Sequence, residues 1–193
     1  MKVGGSRFVG IAAACVVWLA AASSASAGEV AAKAAEAESL LEAGKVKEAV
    51  ASFDASVEAF WKAAPLSFRT VLFADSVSGY GEYAAHDGAT FAPKSELKIY
   101  AEPVGFGWQP VDDGHRIAFS TEIEIRNADG VIFAKSPAPA VLEKIGRSPS
   151  RDFHLTVSFQ LPDLRPGAYR LLMNVTDEAS GKSAQIELPL TIS

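Results

Sequence analysis

From residue 79 to Ser193 the chain alternates apolar and polar residues with period two, and that pattern admits few folds. "SELKIYAEPV" sets Leu97, Ile99 and Ala101 against Lys98, Tyr100 and Glu102. "HRIAFSTEIEIRN" does the same with Ile117, Phe119, Thr121, Ile123 and Ile125, "NADG" turns the chain, and "VIFAK" returns. "RDFHLTVSFQL" lines up Phe153, Leu155, Val157, Phe159 and Leu161, and "AYRLLMNVTD" lines up Tyr169, Leu171, Met173 and Val175. "SAQIELPLTI" closes with Ile186, Leu188, Leu190 and Ile192, while "GYGEYAA" opens the region with a short strand. Such alternation gives each strand one dry and one wet face. Seven strands of this kind hide their dry faces as two stacked antiparallel sheets, so residues 79–193 are expected to form a seven-stranded antiparallel β-sandwich. The proline-punctuated "SPAPAVLEKIGRSPSR" reads as a long crossing between the sheets, with a short helical turn at Ala140 to Ile145.

Upstream the period is helical. "EVAAKAAEAESLLEAG" is rich in alanine and other helix formers and lacks proline, with Gly44 placed as a C-terminal cap. In "KVKEAVASFDASVEAFWKAA", Val46, Val50, Phe53, Val57, Phe60 and Trp61 recur at spacings of three and four, and Pro65 favours a helix end just before it. Residues 28–64 are expected to be a helical hairpin and residues 65–78 a linker to the sandwich. One hairpin cannot bury such a stripe by itself, so Phe53, Phe60 and Trp61 are expected to pack on the sandwich or to bind a partner.

Three stretches carry resemblances. "AESLLEAGKVKEAVASF" resembles half of a tetratricopeptide repeat, through Ala37 and Leu40, Gly44 at the turn, and Ala49 and Phe53, with no second copy following. "LPDLRPGAYRLLMNVTD" is similar to the E–F corner of immunoglobulin-like and fibronectin-like domains. The resemblance implies that Tyr169 ties its hydroxyl to the upstream corner shaped by Pro166 and Gly167. "FAPKSELKIYAE" resembles the start of strand B in macroglobulin-like modules, with Lys94 where glycine is usual. Taken together, the order of segments resembles small exported proteins of Gram-negative bacteria whose activity is unassigned: a helical hairpin, then an immunoglobulin-like sandwich. These motifs speak to fold and are nearly silent on activity.

The first 27 residues read as a cleavable export signal: Lys2 and Arg7, then the apolar "FVGIAAACVVWLAAA", then "SSASA" with its small-x-small ending. The apolar run is short of the roughly 20 residues a membrane span needs. A lipidated Cys15 is disfavoured by Ala12 three residues before it and by the apolar run continuing beyond it. Cleavage after Ala27 would remove the only cysteine, leaving no disulfide and no thiol chemistry. It would leave 16 basic against 23 acidic residues, a net charge of −7, which repels nucleic acid. Periplasmic location is expected, with membrane contact only through the signal before cleavage.

Candidate chemistry is sparse. His86, His115 and His154 stand in no catalytic or metal motif. "HD" at 86–87 and "DDGH" at 112–115 would make a metal site only if their loops converge, and no cofactor is called for. In "IYAEPVGFGWQP", Tyr100 and Glu102 are expected on the outward face of their strand, with Phe106 and Trp108 on a loop freed by Gly105 and Gly107. Tyr100, Glu102, Phe106 and Trp108 are the candidate ligand surface, and the alternative is that the loop aromatics plug the open end of the core. The functional expectation is a non-catalytic binding or assembly module acting on another cell-envelope protein. Its alternatives are a carrier or sensor of a small apolar ligand and, behind that, a metal-dependent enzyme.

Overall fold

The computed structural model describes residues 24–136 and 138–193, so residues 1–23 of the expected export signal lie outside the described residues. Two helices come first, α1 (Ser24–Glu42) and α2 (Val46–Ala63). Between them Gly44 takes the left-handed conformation (φ 73°), which lets its own N–H and that of Lys45 reach the carbonyls of Leu41 and Leu40 at 3.0 and 2.9 Å. The helices pack through small residues. Ala37, Ala49, Ser52 and Ser56 are buried, and the serine hydroxyls donate to α1 carbonyls, Ser52 to Lys33 at 3.0 Å and Ser56 to Val30 at 2.9 Å. No helix among the described residues is long and apolar enough to cross a membrane.

The rest of the chain is strand: β1 (Ser67–Gly79), β2 (Glu82–Ala85), β3 (Thr90–Phe91), β4 (Glu96–Val104), β5 (Gln109–Val111), β6 (Gly114–Asn127), β7 (Ile132–Lys135), β8 (Ala140–Gly146), β9 (Leu155–Gln160), β10 (Gly167–Asp177) and β11 (Ser183–Ile192). They form a mainly β fold of two sheets, one ordered β2-β1-β4-β9 and the other β3-β11-β10-β6-β5, with β7 and β8 end to end along the other edge of β6. All pairings are antiparallel except the short β3–β11 pair. The dry faces read from the alternation meet in one core: Leu97, Ile99 and Ala101 from β4, Phe119, Ile123 and Ile125 from β6, Leu171, Met173 and Val175 from β10.

Two expectations about connections are corrected. Residues 65–78 are not a linker: β1 occupies 67–79, pairing β4 through Phe73 and β2 from Ala74 onward. Register shifts at Phe68/Val71 and Ala74/Ser76 interrupt its alternation, which is why the period-two signal fades there. Residues 140–145 are not a helical turn but most of β8, an edge strand whose Val141 and Ile145 stand on the outer face. With β1, β3, β5 and β8 added to the seven strands read from the pattern, the sandwich has eleven.

Two corner features follow the resemblances. The Tyr169 hydroxyl donates to the Arg165 carbonyl at 3.0 Å, closing the tyrosine corner. Lys94, standing where the resembled modules carry glycine, has φ 61°, the left-handed region that a side chain enters at a cost of about 1–2 kcal/mol.

Candidate functional site

Phe60 and Trp61 are neighbours on α2, so their side chains diverge by roughly 100° around the helix axis. Only one of them can join the stripe, and the structure separates them. Trp61 is buried: its ring meets Phe106 edge-on at 5.3 Å and stacks near Trp108 at 6.3 Å, and its indole N–H donates to the Phe106 carbonyl at 2.8 Å. Trp61 is thus withdrawn from the expected partner surface and serves as the bolt between hairpin and sandwich. Phe53 and Phe60 remain 56% exposed, as do Val46 at 57% and Val50 at 56%. The apolar stripe of α2 points into solvent because the helix spends its other faces on α1 and on the sandwich.

The candidate ligand quartet is likewise divided. Tyr100 and Glu102 were expected to face outward into solvent; they do lie on the outer face of β4, but they are buried there. The β1–β2 hairpin folds back over that face, bringing the Gly81 N–H to the Tyr100 oxygen at 2.7 Å, the Tyr83 ring to within 4.4 Å of the Tyr100 ring, and Tyr80 to Arg69. The Tyr100 hydroxyl in turn donates to Glu102 Oε1 at 2.8 Å, and Thr70 donates to the other oxygen at 3.2 Å. Burial pushes the Tyr100 pKa up to about 12, with the Glu102 carboxylate adding to the shift and the Gly81 N–H opposing it. His154 stacks on Tyr100 at 5.5 Å, and burial, helped by Lys144, holds its pKa below the ordinary histidine value. This cluster holds a hairpin down and offers no open face to a ligand.

Phe106 and Trp108 lie just past the end of β4, where the helical hairpin docks on the sandwich. Phe106 plugs the end of the core against Phe119 and Phe153, at 5.7 and 6.0 Å between ring centres. Neither flanking glycine supplies loop freedom. Gly105 has φ 81°, and a Cβ there would lie 2.6 Å from the Pro65 carbonyl oxygen. Gly107 donates its N–H to the fully buried Asp177 carboxylate at 2.7 Å, with the 179–180 turn close by. Trp108 stays partly exposed, its indole N–H donating to the Ser150 carbonyl at 3.0 Å. Together with Phe106, Pro110 and Pro149 it lines a cleft of about 330 Å³, rimmed by Glu58, Lys62, His115 and Lys182.

The residues that clamp this junction carry no sequence signature. Lys182, in the β10–β11 turn, directs one ammonium at three carbonyls: Lys62 at 2.9 Å, Ala64 at 2.7 Å and Gly105 at 2.7 Å. Two of these belong to the last turn and cap of α2, where a cation complements the helix dipole. Arg151 lies over the Trp61 ring at 5.6 Å and pairs with Glu58 at 3.0 Å.

The two histidine loops do not converge. His115 sits at the hairpin end of the sandwich, whereas His86 lies beside Thr90 and Phe91, where β11 finishes. There it bonds Asp75 at 2.6 Å, which raises its pKa, and stacks on Phe91 at 4.4 Å. Among the described residues no group of three or more His, Cys, Asp or Glu is arranged to hold a metal ion.

No protein-family model matches the chain. No curated protein matches it either. Among solved structures it is similar to CopC from Methylosinus trichosporium OB3b, at 13% identity over 64% of this chain and 94% of that one, with a TM-score of 0.31. It is similar to the CARDB domain of PF1109 from Pyrococcus furiosus at 11% identity, over 67% and 90% of the two chains, with a TM-score of 0.32. For Spo0M from Bacillus subtilis the figures are 7% identity, 67% and 50%, and 0.36. Likenesses at this level assign neither family nor activity.

Proposed function

We propose that this chain is an exported, periplasmic, non-catalytic binding or assembly module that engages a protein of the cell envelope through the outer face of α2. The carrying observation is the row Val46, Val50, Phe53 and Phe60, each more than half exposed on a helix whose polar Ser52 and Ser56 face inward. A helix normally turns its apolar side to the core; here small and polar residues take that place and the apolar side is left for something else. The acidic balance of the chain favours a protein occupant over a polyanion. The test is photocrosslinking in the cell envelope, with capture of the wild type compared with a Val50→Asp, Phe53→Glu variant. Loss of the adduct with an unchanged melting temperature is expected, and an equally strong adduct from the variant would overturn the reading.

A second reading, a carrier or sensor of a small apolar ligand, is favoured by the cleft at Trp108. Its volume and its Trp, Phe and Pro lining suit a compact apolar or aromatic molecule. Tyr100 and Glu102 take no part in it. Tryptophan fluorescence should shift on titration with envelope lipids or aromatic metabolites, and Trp108→Ala should abolish the shift. No response across such a panel would overturn this second reading.

A further inference from the structure

The stripe on α2 has more order than exposure alone requires. Val46, Val50, Phe53, Val57 and Phe60 follow one another at intervals of four, three, four and three. That is the a/d spacing of a coiled-coil seam, with Val50 and Val57 in one class of position and Val46, Phe53 and Phe60 in the other. Resting on the reading above that this stripe is a protein contact, we propose that its occupant is the same stripe of a second copy. The two α2 helices pack antiparallel and the two hairpins together form a four-helix bundle.

Three observations select this arrangement. In an antiparallel pair each a position meets a d position, so Val50 lies beside Phe53 of the second copy and Val57 beside Val46 of the second copy. A small side chain then faces a large one at the centre of the seam. Next, Lys47 and Asp54 follow Val46 and Phe53 directly and flank the seam on one side. Both are exposed, and among the described residues neither has an ion-pair partner within the chain. The antiparallel arrangement brings Lys47 of one copy beside Asp54 of the other, twice by the two-fold symmetry, whereas a parallel pair would set them opposite Ala49 and Ser56 and leave both unpaired. Finally, the C-terminal end of α2 is the bulky end, bolted to the sandwich by Trp61 and Lys182. Reversing one helix against the other carries the two sandwiches to opposite ends of a rod about 27 Å long, the length of an 18-residue helix.

Five side chains per copy make a small interface, so a reversible dimer with a dissociation constant on the order of micromolar is expected. Sedimentation equilibrium of the purified protein across the micromolar range reads it directly. Phe53→Glu should raise the dissociation constant by about tenfold or more, and because Phe53 is solvent-exposed its thermal unfolding should match the wild type at concentrations well below the dissociation constant, where both are monomers. Lys47→Asp alone should weaken the dimer several-fold, and Lys47→Asp with Asp54→Lys should restore it, a rescue that a merely structural role would not produce. A monomer at all concentrations, a dimer indifferent to Phe53→Glu, or an unrescued charge swap would overturn the proposal. A photocrosslinker replacing Val50 in cells separates the alternatives. A self-adduct supports the second copy. An adduct only with a different protein overturns this proposal and keeps the reading of the stripe as a contact. An adduct within the same chain, to residues before Ser24, overturns the second copy, and no adduct overturns both.

Discussion

Replacing Lys182 by methionine keeps most of the side chain's length and removes only the charged head, and the structure says what that head does. Its ammonium has three protons and three acceptors, the carbonyls of Lys62, Ala64 and Gly105, at 2.7–2.9 Å. Two of the carbonyls come from the end of α2 and one from the loop leading to Phe106, so one group joins the hairpin, the loop and the β10–β11 turn. Hydrogen bonds to a charged partner each contribute about 1.5–3 kcal/mol when well made, but here they share one half-buried cation, and water can reach part of the site. Adding a helix-dipole contribution of about 0.3–1 kcal/mol, the variant should lose about 2–4 kcal/mol. In urea, with a slope of about 2 kcal/mol per molar, the midpoint should fall by about 1–2 M. Trp61, whose ring lies at the same junction, should become more solvent-exposed, seen as a red-shifted emission already before the main transition. A midpoint shift below about 0.3 M with unchanged tryptophan emission would refute the claim that this ammonium clamps the hairpin.

The same junction predicts that Gly105→Ala is costly. It forces a side chain into the left-handed region and onto the Pro65 carbonyl, for a loss of about 2–4 kcal/mol, read as a Tm lower by roughly 5 °C or more. On the outer face of β4, Tyr100 ionises near pH 12 in the fold against about 10 unfolded, so its contribution is complete below pH 10 and drains away between pH 10 and 12. Absorbance titration should show one tyrosine ionising last, and Tyr100→Phe should remove that step while costing about 1–3 kcal/mol, because the Gly81 N–H and Glu102 lose their partner. The histidines should move in opposite directions by NMR titration. His86 rises through its Asp75 hydrogen bond, so its contribution is present below the unfolded value of 6.5 and lost as pH climbs through its folded pKa. His154 falls through burial, so its contribution is present above 6.5 and lost as pH drops through its folded pKa. Asp75→Asn should bring His86 back towards 6.5 and leave His154 in place.

What the chain disclosed in advance was whatever repeats locally. The strands with uninterrupted alternation, β4, β6, β9, β10 and β11, were legible because each keeps one face to the core along its length. β1 was not, because it bends at three register shifts and changes partner midway, and β8 was not, because Val141 and Ile145 lie on the outer face and prolines flank it. At the site, the local pattern marks Tyr100 and Glu102 as outward residues, which they are relative to their own sheet. What covers them is the turn after β1, an event of tertiary folding that no alternation records. Trp61 was separable from Phe60 by the angle between adjacent helical residues alone. Lys182 left no trace, since a lysine after a Ser-Gly turn is ordinary until three carbonyls from elsewhere converge on it.

The position of β11 between β10 and β3 bears on the order in which the sheet is completed. Thr191 and Ser193 donate backbone N–H groups to the carbonyls of Ala89 and Phe91, so β3 finds its place in the sheet only once β11 is present. An emerging chain therefore cannot lock its native topology part-way, because the closing stitch joins residues about a hundred positions apart. Closing a loop of that length is slow and costs conformational entropy, so the β3 edge is the part of the sheet expected to form last and to open first.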